Sequence, residues 1–198
     1  TGGAPTVVVF DVDGQIELES ALLLPSNITI DGRGRDVRLV GKGLRVISQH
    51  DVIVTHIAIE DVFPDSEDGV QIAGGPDLAP SHHVVLDHVR FSFHDGQGDS
   101  AFVDEAISVV WGSTDVTVQW CRFEDVEKVV LIGNGDAPAE VDGDIRVTLH
   151  HNLFLRTGRR HPRARYGIVD VYSNYLFDWR MHDFAGPPVW RRSFGAWC

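Results

Sequence analysis

The sequence predicts an all-β fold, a right-handed single-stranded parallel β-helix, and three observations predict it. A short apolar triplet recurs along the chain, the alternation of apolar residues slips at the same point of successive repeats, and extra residues fall between the same strands each time. Stacked coils answer all three, because each coil buries its inner side only against its neighbours.

From Thr6 to Ile16 the chain is strand-like and broken by turns, with Val7 to Phe10 followed by Asp11-Val12-Asp13-Gly14. The repeat then begins. Ile28-Thr29-Ile30 returns in kind as Val52-Ile53-Val54, Val84-Val85-Leu86, Val116-Thr117-Val118, Val147-Thr148-Leu149 and Val169-Asp170-Val171, at separations of 24, 32, 32, 31 and 22 residues. The shortest separations give the basic turn, and the longer ones add a loop of about ten residues.

Each repeat contains a corner. Val52 and Val54 alternate inward, but the next apolar pair is Ile57 and Ile59; Val84 and Leu86 are followed by Val89 and Phe91, and Val116 and Val118 by Cys121 and Phe123. A period of two that slips by one residue requires the chain to bend there. In the next two coils the first inward position after the bend is Asn152 and then Asn174, where stacked amides can bond along the axis and satisfy turn carbonyls. Cys121 alternates with apolar residues and reads as a small core residue rather than a reactive thiol. An antiparallel sandwich would need hairpin turns between consecutive strands, and Asn134-Gly135 is the single candidate.

At 198 residues with no Pro/Gly/Ser-rich linker, the chain reads as one domain over 1–198. It has no run of about eighteen apolar residues, so no membrane span is expected, and Thr1-Gly2-Gly3 does not resemble a secretory leader. Cys121 and Cys198 form neither a metal-ligand spacing nor a disulfide framework. The excess of 29 acidic over 17 basic residues, a net charge of -12, argues against a general nucleic-acid surface. A local basic groove can still select a polyanion, and polyacidic sugars fit as well as phosphates.

Such a groove is suggested by Arg159-Arg160-His161-Pro162-Arg163-Ala164-Arg165, which gathers four guanidinium groups in seven residues. Arginine pairs with carboxylate or phosphate in a fixed fork geometry, and Pro162 stiffens the loop. Stacking turns an offset within a coil into a position in space, since coils sit about 4.8 Å apart. Lys128 lies twelve residues after Val116 and Arg160 thirteen after Val147, so the two cations should project from adjacent coils on one face. Asp104 and Glu105 lead into Ala106-Ile107-Ser108-Val109, and Asp68 leads into Gly69-Val70-Gln71-Ile72, at comparable strand edges. A row of acids thus runs into a row of bases. Surface carboxylates are usually solvated, but on stacked coils beside a basic loop they could hold calcium, which takes oxygen ligands. His150 and His151 read as hydrogen-bonded structural residues, one of them facing inward unless a corner intervenes, and zinc is not expected there for want of a third ligand.

Over approximately Val7 to Trp179 the chain resembles the pectate lyase family of parallel β-helix polysaccharide lyases. The residues that carry the resemblance are Ile28-Thr29-Ile30-Asp31-Gly32-Arg33-Gly34, Trp111-Gly112-Ser113-Thr114-Asp115-Val116-Thr117-Val118, Glu127-Lys128-Val129-Val130-Leu131-Ile132-Gly133, Val147-Thr148-Leu149-His150-His151-Asn152 and Arg160-His161-Pro162-Arg163-Ala164-Arg165, in the family's order. The resemblance implies cleavage of α-1,4-linked polygalacturonate by β-elimination, with calcium as cofactor and an acidic polysaccharide as partner. It implies a secreted, extracellular protein and a monomer, with association through an uncapped coil end as the alternative. Carried over by motif, Arg160 is the base, Lys128 and Arg165 bind substrate carboxylates, and Asp68 and Asp104 are calcium ligands. Where the family usually shows a further acidic ligand, four residues after Asp104, this chain has Ser108, leaving Glu105 to compensate or calcium to bind with substrate. The family's N-terminal cap and much of its C-terminal wrapping are missing, and residues Gly186 to Cys198 match nothing in it. Two alternatives stay open: a pectin lyase acting on methyl-esterified polymer without calcium, towards which Ser108 points, and a non-catalytic β-helix that binds acidic glycans.

Overall fold

The recurring triplets pair with one another in parallel register, so that Ile28, Val52, Val84, Val116, Val147 and Val169 form one column across a seven-stranded sheet. The computed structural model describes residues 3–62, 68–93, 104–135 and 144–179. The tail from Gly186 to Cys198 lies outside these described residues. The repeat also starts one rung earlier than the triplets suggest: Thr6–Val9 pairs with Ile28–Asp31 as a further member of the same sheet. Its side chains are exposed, so burial never marked it as the first coil.

Three parallel sheets form the sides of the solenoid. The first holds the triplets, from Thr6–Val9 to Ile168–Tyr172. The second runs from Gly14–Glu17 through Val37–Gly41, Ala58–Val62, Arg90–Ser92, Arg122–Glu124 and Leu153–Leu155 to Tyr175–Phe177. The third is built from Leu22–Leu23, Leu44–Ile47, Val70–Ala73, Ile107–Val110, Val130–Ile132 and Arg163–Ala164. The chain visits the three in turn, once per rung. Among the described residues no helix is long and apolar enough to cross a membrane.

The slip in the apolar pattern is a corner between the first and second sheets. On the five rungs from His50–Thr55 onward one residue there takes a left-handed conformation: His56, His88, Trp120, His151 and Ser173 have φ between 52° and 57°. A single residue of this kind reverses the inward and outward sides of the strand that follows, which is the phase change seen in the sequence. Directly after it, Asn152 and Asn174 bond along the axis as expected. Asn152 Oδ1 accepts from the Cys121 amide at 2.9 Å and its Nδ2 donates to the Val118 carbonyl at 3.0 Å, while Asn174 repeats the arrangement with the Asn152 amide and the Leu149 carbonyl, each at 2.9 Å.

Inside the coil, like residues sit on like. Phe91, Phe123 and Phe154 stack with ring centroids 5.0 Å apart at each step, close to the rung spacing. Cys121 is buried in this core, and burial pushes its thiol up to about 12, so it is the inert packing residue that the alternation implied.

Candidate active site

The third sheet carries the functional side chains because of how its strands alternate. Val70, Ile107 and Val130 lie in one inward column and Ile72, Val109 and Ile132 in another, all buried. The residues between them must face out. That outward column reads Arg45, Gln71, Ser108, Leu131 and Arg163 on successive rungs.

The residues leading into these strands stack as well. The Gly69 amide donates to the Glu105 carbonyl at 2.8 Å, the Ala106 amide to the Lys128 carbonyl at 2.9 Å, and Lys128 forms a parallel bridge with Arg159. Glycine is required at position 69, where a Cβ would lie 2.7 Å from the Ala106 carbonyl oxygen. Asp68 is thereby laid against the next rung: its Oδ1 accepts from the Glu105 amide at 3.0 Å, and its Oδ2 accepts from the Ser108 hydroxyl and, at 3.4 Å, from Gln71 Nε2. One carboxylate oxygen from each of Asp68, Asp104 and Glu105 lies within 4.8 Å of the other two. Asp68 and Glu105 are buried.

Buried carboxylates in such a group need positive charge beside them. Lys128 Nζ donates to Asp104 Oδ1 at 2.8 Å, and the Arg160 guanidinium is ion-paired to Glu105, with the Arg160 side chain 15 % and the Glu105 side chain 1 % exposed. Arg160 adopts a left-handed conformation, φ 66°, at the point where its carbonyl accepts from the Val130 amide at 2.8 Å. Burial disfavours its charged form and Arg163 repels it, so its pKa lies below the ordinary arginine value despite the opposing pull of Asp104. Arg159 is drawn to Glu127, Nε to Oε1 3.5 Å. Arg165 donates through one nitrogen to the carbonyls of Asn134 and Gly133, at 2.7 and 3.2 Å, which anchors it to the turn after Val130–Ile132. His161, between Arg160 and Pro162, shares a 2.7 Å hydrogen bond between its Nε2 and Thr157 Oγ1 and packs edge-on to Phe154 and Trp179. Burial pulls its pKa down to about 4, so it adds no charge to the basic loop at neutral pH.

Asp68, Asp104, Glu105, Ser108, Lys128 and Arg160 therefore meet on successive rungs, as their offsets implied, with Arg165 on the rung of Arg160, just past the strand Arg163–Ala164. Two details depart from the simplest expectation. Glu105 and Ser108 are engaged within the chain, by Arg160 and by Asp68, rather than standing open as ligands. The offsets pointed to Arg160 as the neighbour of Lys128, whereas the backbone bridge is to Arg159. Gln71 and Arg45 were missed, although their place one residue after the inward Val70 and Leu44 marks them as members of the outward column that contains Ser108. Arg45 also donates to the Asp68 carbonyl at 3.0 Å. His150 and His151 form the expected structural pair, hydrogen-bonded through their Nδ1 atoms at 2.8 Å. Neither is buried, because the corner at His151 intervenes.

A family model described as pectate lyase matches residues 6–186. A pectate lyase of Nicotiana tabacum is 31 % identical over 196 residues, covering 92 % of this chain and 47 % of the relative. Pectate lyase E of Dickeya dadantii (strain 3937) is 36 % identical over 173 residues, covering 78 % and 42 %. Among solved structures, that of jun a 1, the major allergen from cedar pollen, superimposes with a TM-score of 0.73 at 26 % identity, covering 88 % of this chain and 52 % of the other. The chain thus spans about half the length of the curated relatives it matches.

Proposed function

The chain belongs to the pectate lyase family, and on that premise we propose that it cleaves α-1,4-linked polygalacturonate by β-elimination. The observation that carries the reading is the meeting of Arg160 and Lys128 with the Asp68, Asp104 and Glu105 carboxylates along the edge of the third sheet. An anionic polymer lying across that edge meets cations from several rungs.

The difficult step is removal of the weakly acidic proton at C5 of a galacturonate unit, next to its C6 carboxylate. Arg160 is the base: its guanidine takes the proton, the C5–H pair forms the C4–C5 double bond of an unsaturated uronide, and the C4–O pair departs with the oxygen, which takes a proton from water to become a hydroxyl. Guanidinium is ordinarily protonated, so the role needs an environment that disfavours its charge. Burial and the Arg163 charge act in that direction. Lys128 and Arg165 bind substrate carboxylates, and their charge is preorganised for the enolate-like charge that develops.

Three carboxylates that can each offer an oxygen within 4.8 Å of the others suit a hard divalent cation. Asp68, Asp104 and Glu105, with the Ser108 hydroxyl beside them, would hold calcium. When bound, that ion supplies further positive charge next to the substrate carboxylate. The reading carries an extracellular location, since a polymeric acidic glycan is met outside the cell.

Ser108 favours a second reading, a pectin lyase that acts on the methyl-esterified polymer, because its hydroxyl bonds Asp68 where a further acid would strengthen a calcium site. The absorbance of the unsaturated product separates the two. Turnover of polygalacturonate that a chelator abolishes supports the first reading; chelator-insensitive turnover of highly esterified pectin alone supports the second. Binding of either polymer without product would leave a non-catalytic glycan-binding module.

A further inference from the structure

A second set of metal-ligating side chains lies at the corner between the first and second sheets, apart from the acidic cluster of the third. His56 and His88 are the left-handed corner residues of consecutive rungs, with φ 57° and 53°. They leave the backbone at equivalent points, so their imidazoles stack with centroids 4.5 Å apart and planes 11° from parallel. Asp87, one residue before His88 and in register with Thr55, completes the group: one donor atom from each of His56, Asp87 and His88 lies within 4.8 Å of the other two.

The carboxylate is held in place from both neighbouring rungs. Thr55 Oγ1 donates to Asp87 Oδ2 at 3.2 Å, Gln119 Nε2 donates to Oδ1 at 3.1 Å, and His88 Nδ1 lies 3.0 Å from Oδ1. The combination is local to these rungs. Asp31, in the same column as Thr55 and Asp87, is followed by Gly32 and is ion-paired to Arg33, and after Gln119 the corner residue is Trp120.

We propose that His56, Asp87 and His88 form a binding site for a borderline divalent transition ion of the Zn2+ type, distinct from the acidic cluster. Two imidazoles and one carboxylate are the mixed nitrogen and oxygen donors that such ions prefer, whereas calcium prefers the all-oxygen set beside Arg160. Three protein ligands leave a further coordination position for water. His88 is 47 % exposed, so an ion in solution can reach the site, and Thr55 and Gln119 orient the Asp87 carboxylate as outer partners do at metal centres. An ion held by all three would tie the rung of His56 to that of Asp87 and His88.

Zn2+ titration by isothermal calorimetry, on chelator-treated and dialysed protein, tests the site, with the visible absorption of bound Co2+ as a second readout. The expected result is a single Zn2+ per chain whose affinity falls by about 10–100-fold or more in both His88→Ala and Asp87→Asn, and by about 10–100-fold in Gln119→Ala. Asp104→Asn and His151→Ala should bind as the parent does. Circular dichroism of each variant separates lost ligands from lost fold. Zn2+ and Co2+ that fail to bind, or binding that survives in folded His88→Ala and Asp87→Asn, would overturn the assignment. So would binding lost only in Asp104→Asn or His151→Ala.

Discussion

The guanidinium of Arg160 is ion-paired to the carboxylate of Glu105 across the intervening rung that carries Lys128, in a pair from which water is largely excluded. The proposed base is thus held by the residue proposed to help bind calcium. Glu105 can serve Arg160 or a divalent cation, and whichever it serves sets how readily Arg160 gives up its proton.

The pH dependence of turnover follows from this pairing. A base must be unprotonated, so rate rises with pH through the pKa of Arg160, and burial with the Arg163 charge brings that rise below the ordinary arginine range. Asp104 and Asp68 oppose that shift, and an anion ion-paired to Arg160, as Glu105 is, favours the charged form in the same sense. Replacing Glu105 by glutamine should move the acid limb of kcat/KM to lower pH by about 1–3 units, measured as product absorbance at saturating calcium. An unmoved limb would mean that the pair does not tune the base.

The amide ladder bears on stability in a separate way. Asn152 satisfies the Cys121 amide and the Val118 carbonyl, both in the interior of the corner. Asn152→Ala removes a hydrogen bond from each and should lower unfolding stability by about 1–3 kcal/mol in all. Urea titration of the two proteins measures it, and a loss near zero would mean that the ladder does not support the stack.

His161 sets a pH window for stability. In the folded chain burial delays its protonation from the ordinary 6.5 to about 4. Between those values the unfolded state binds the extra proton, so stability is complete above about 6.5 and falls as pH drops towards about 4. His150, whose pKa is lowered by burial and then by His151, acts in the same direction. Glu124, held below its ordinary value by Arg156 and Arg122 against the opposing effect of burial, costs stability only at more acid pH. The melting temperature of His161→Gln should therefore change less than that of the parent between pH 6.5 and pH 4.

Much of the architecture was legible because a solenoid writes its register into its spacing. The triplets from Ile28 to Val171 and the slip between Val118 and Cys121 located two of the three sheets and the corner joining them. Thr6–Val9 was not legible as a rung, since an end coil has no apolar partner on its outer side to enforce alternation. The meeting of Asp68, Asp104, Lys128 and Arg160 could be read from offsets. Their pairing could not, because which carboxylate each cation reaches depends on the left-handed turn at Arg160 and on side-chain direction. Gln71 and Arg45 carried a positional signal but an unremarkable chemistry. The group formed by His56, Asp87 and His88 was hidden for a related reason: its members come from separate rungs, and only stacking makes them neighbours.

The central claim is that Arg160 removes the C5 proton, and its most direct test is the turnover of Arg160→Lys on polygalacturonate. A lysine keeps a cation near Glu105 but loses the buried guanidine. The expected result is no unsaturated product, with polymer binding as in the parent chain. Product formed by Arg160→Lys at a rate comparable to the parent would contradict the assignment.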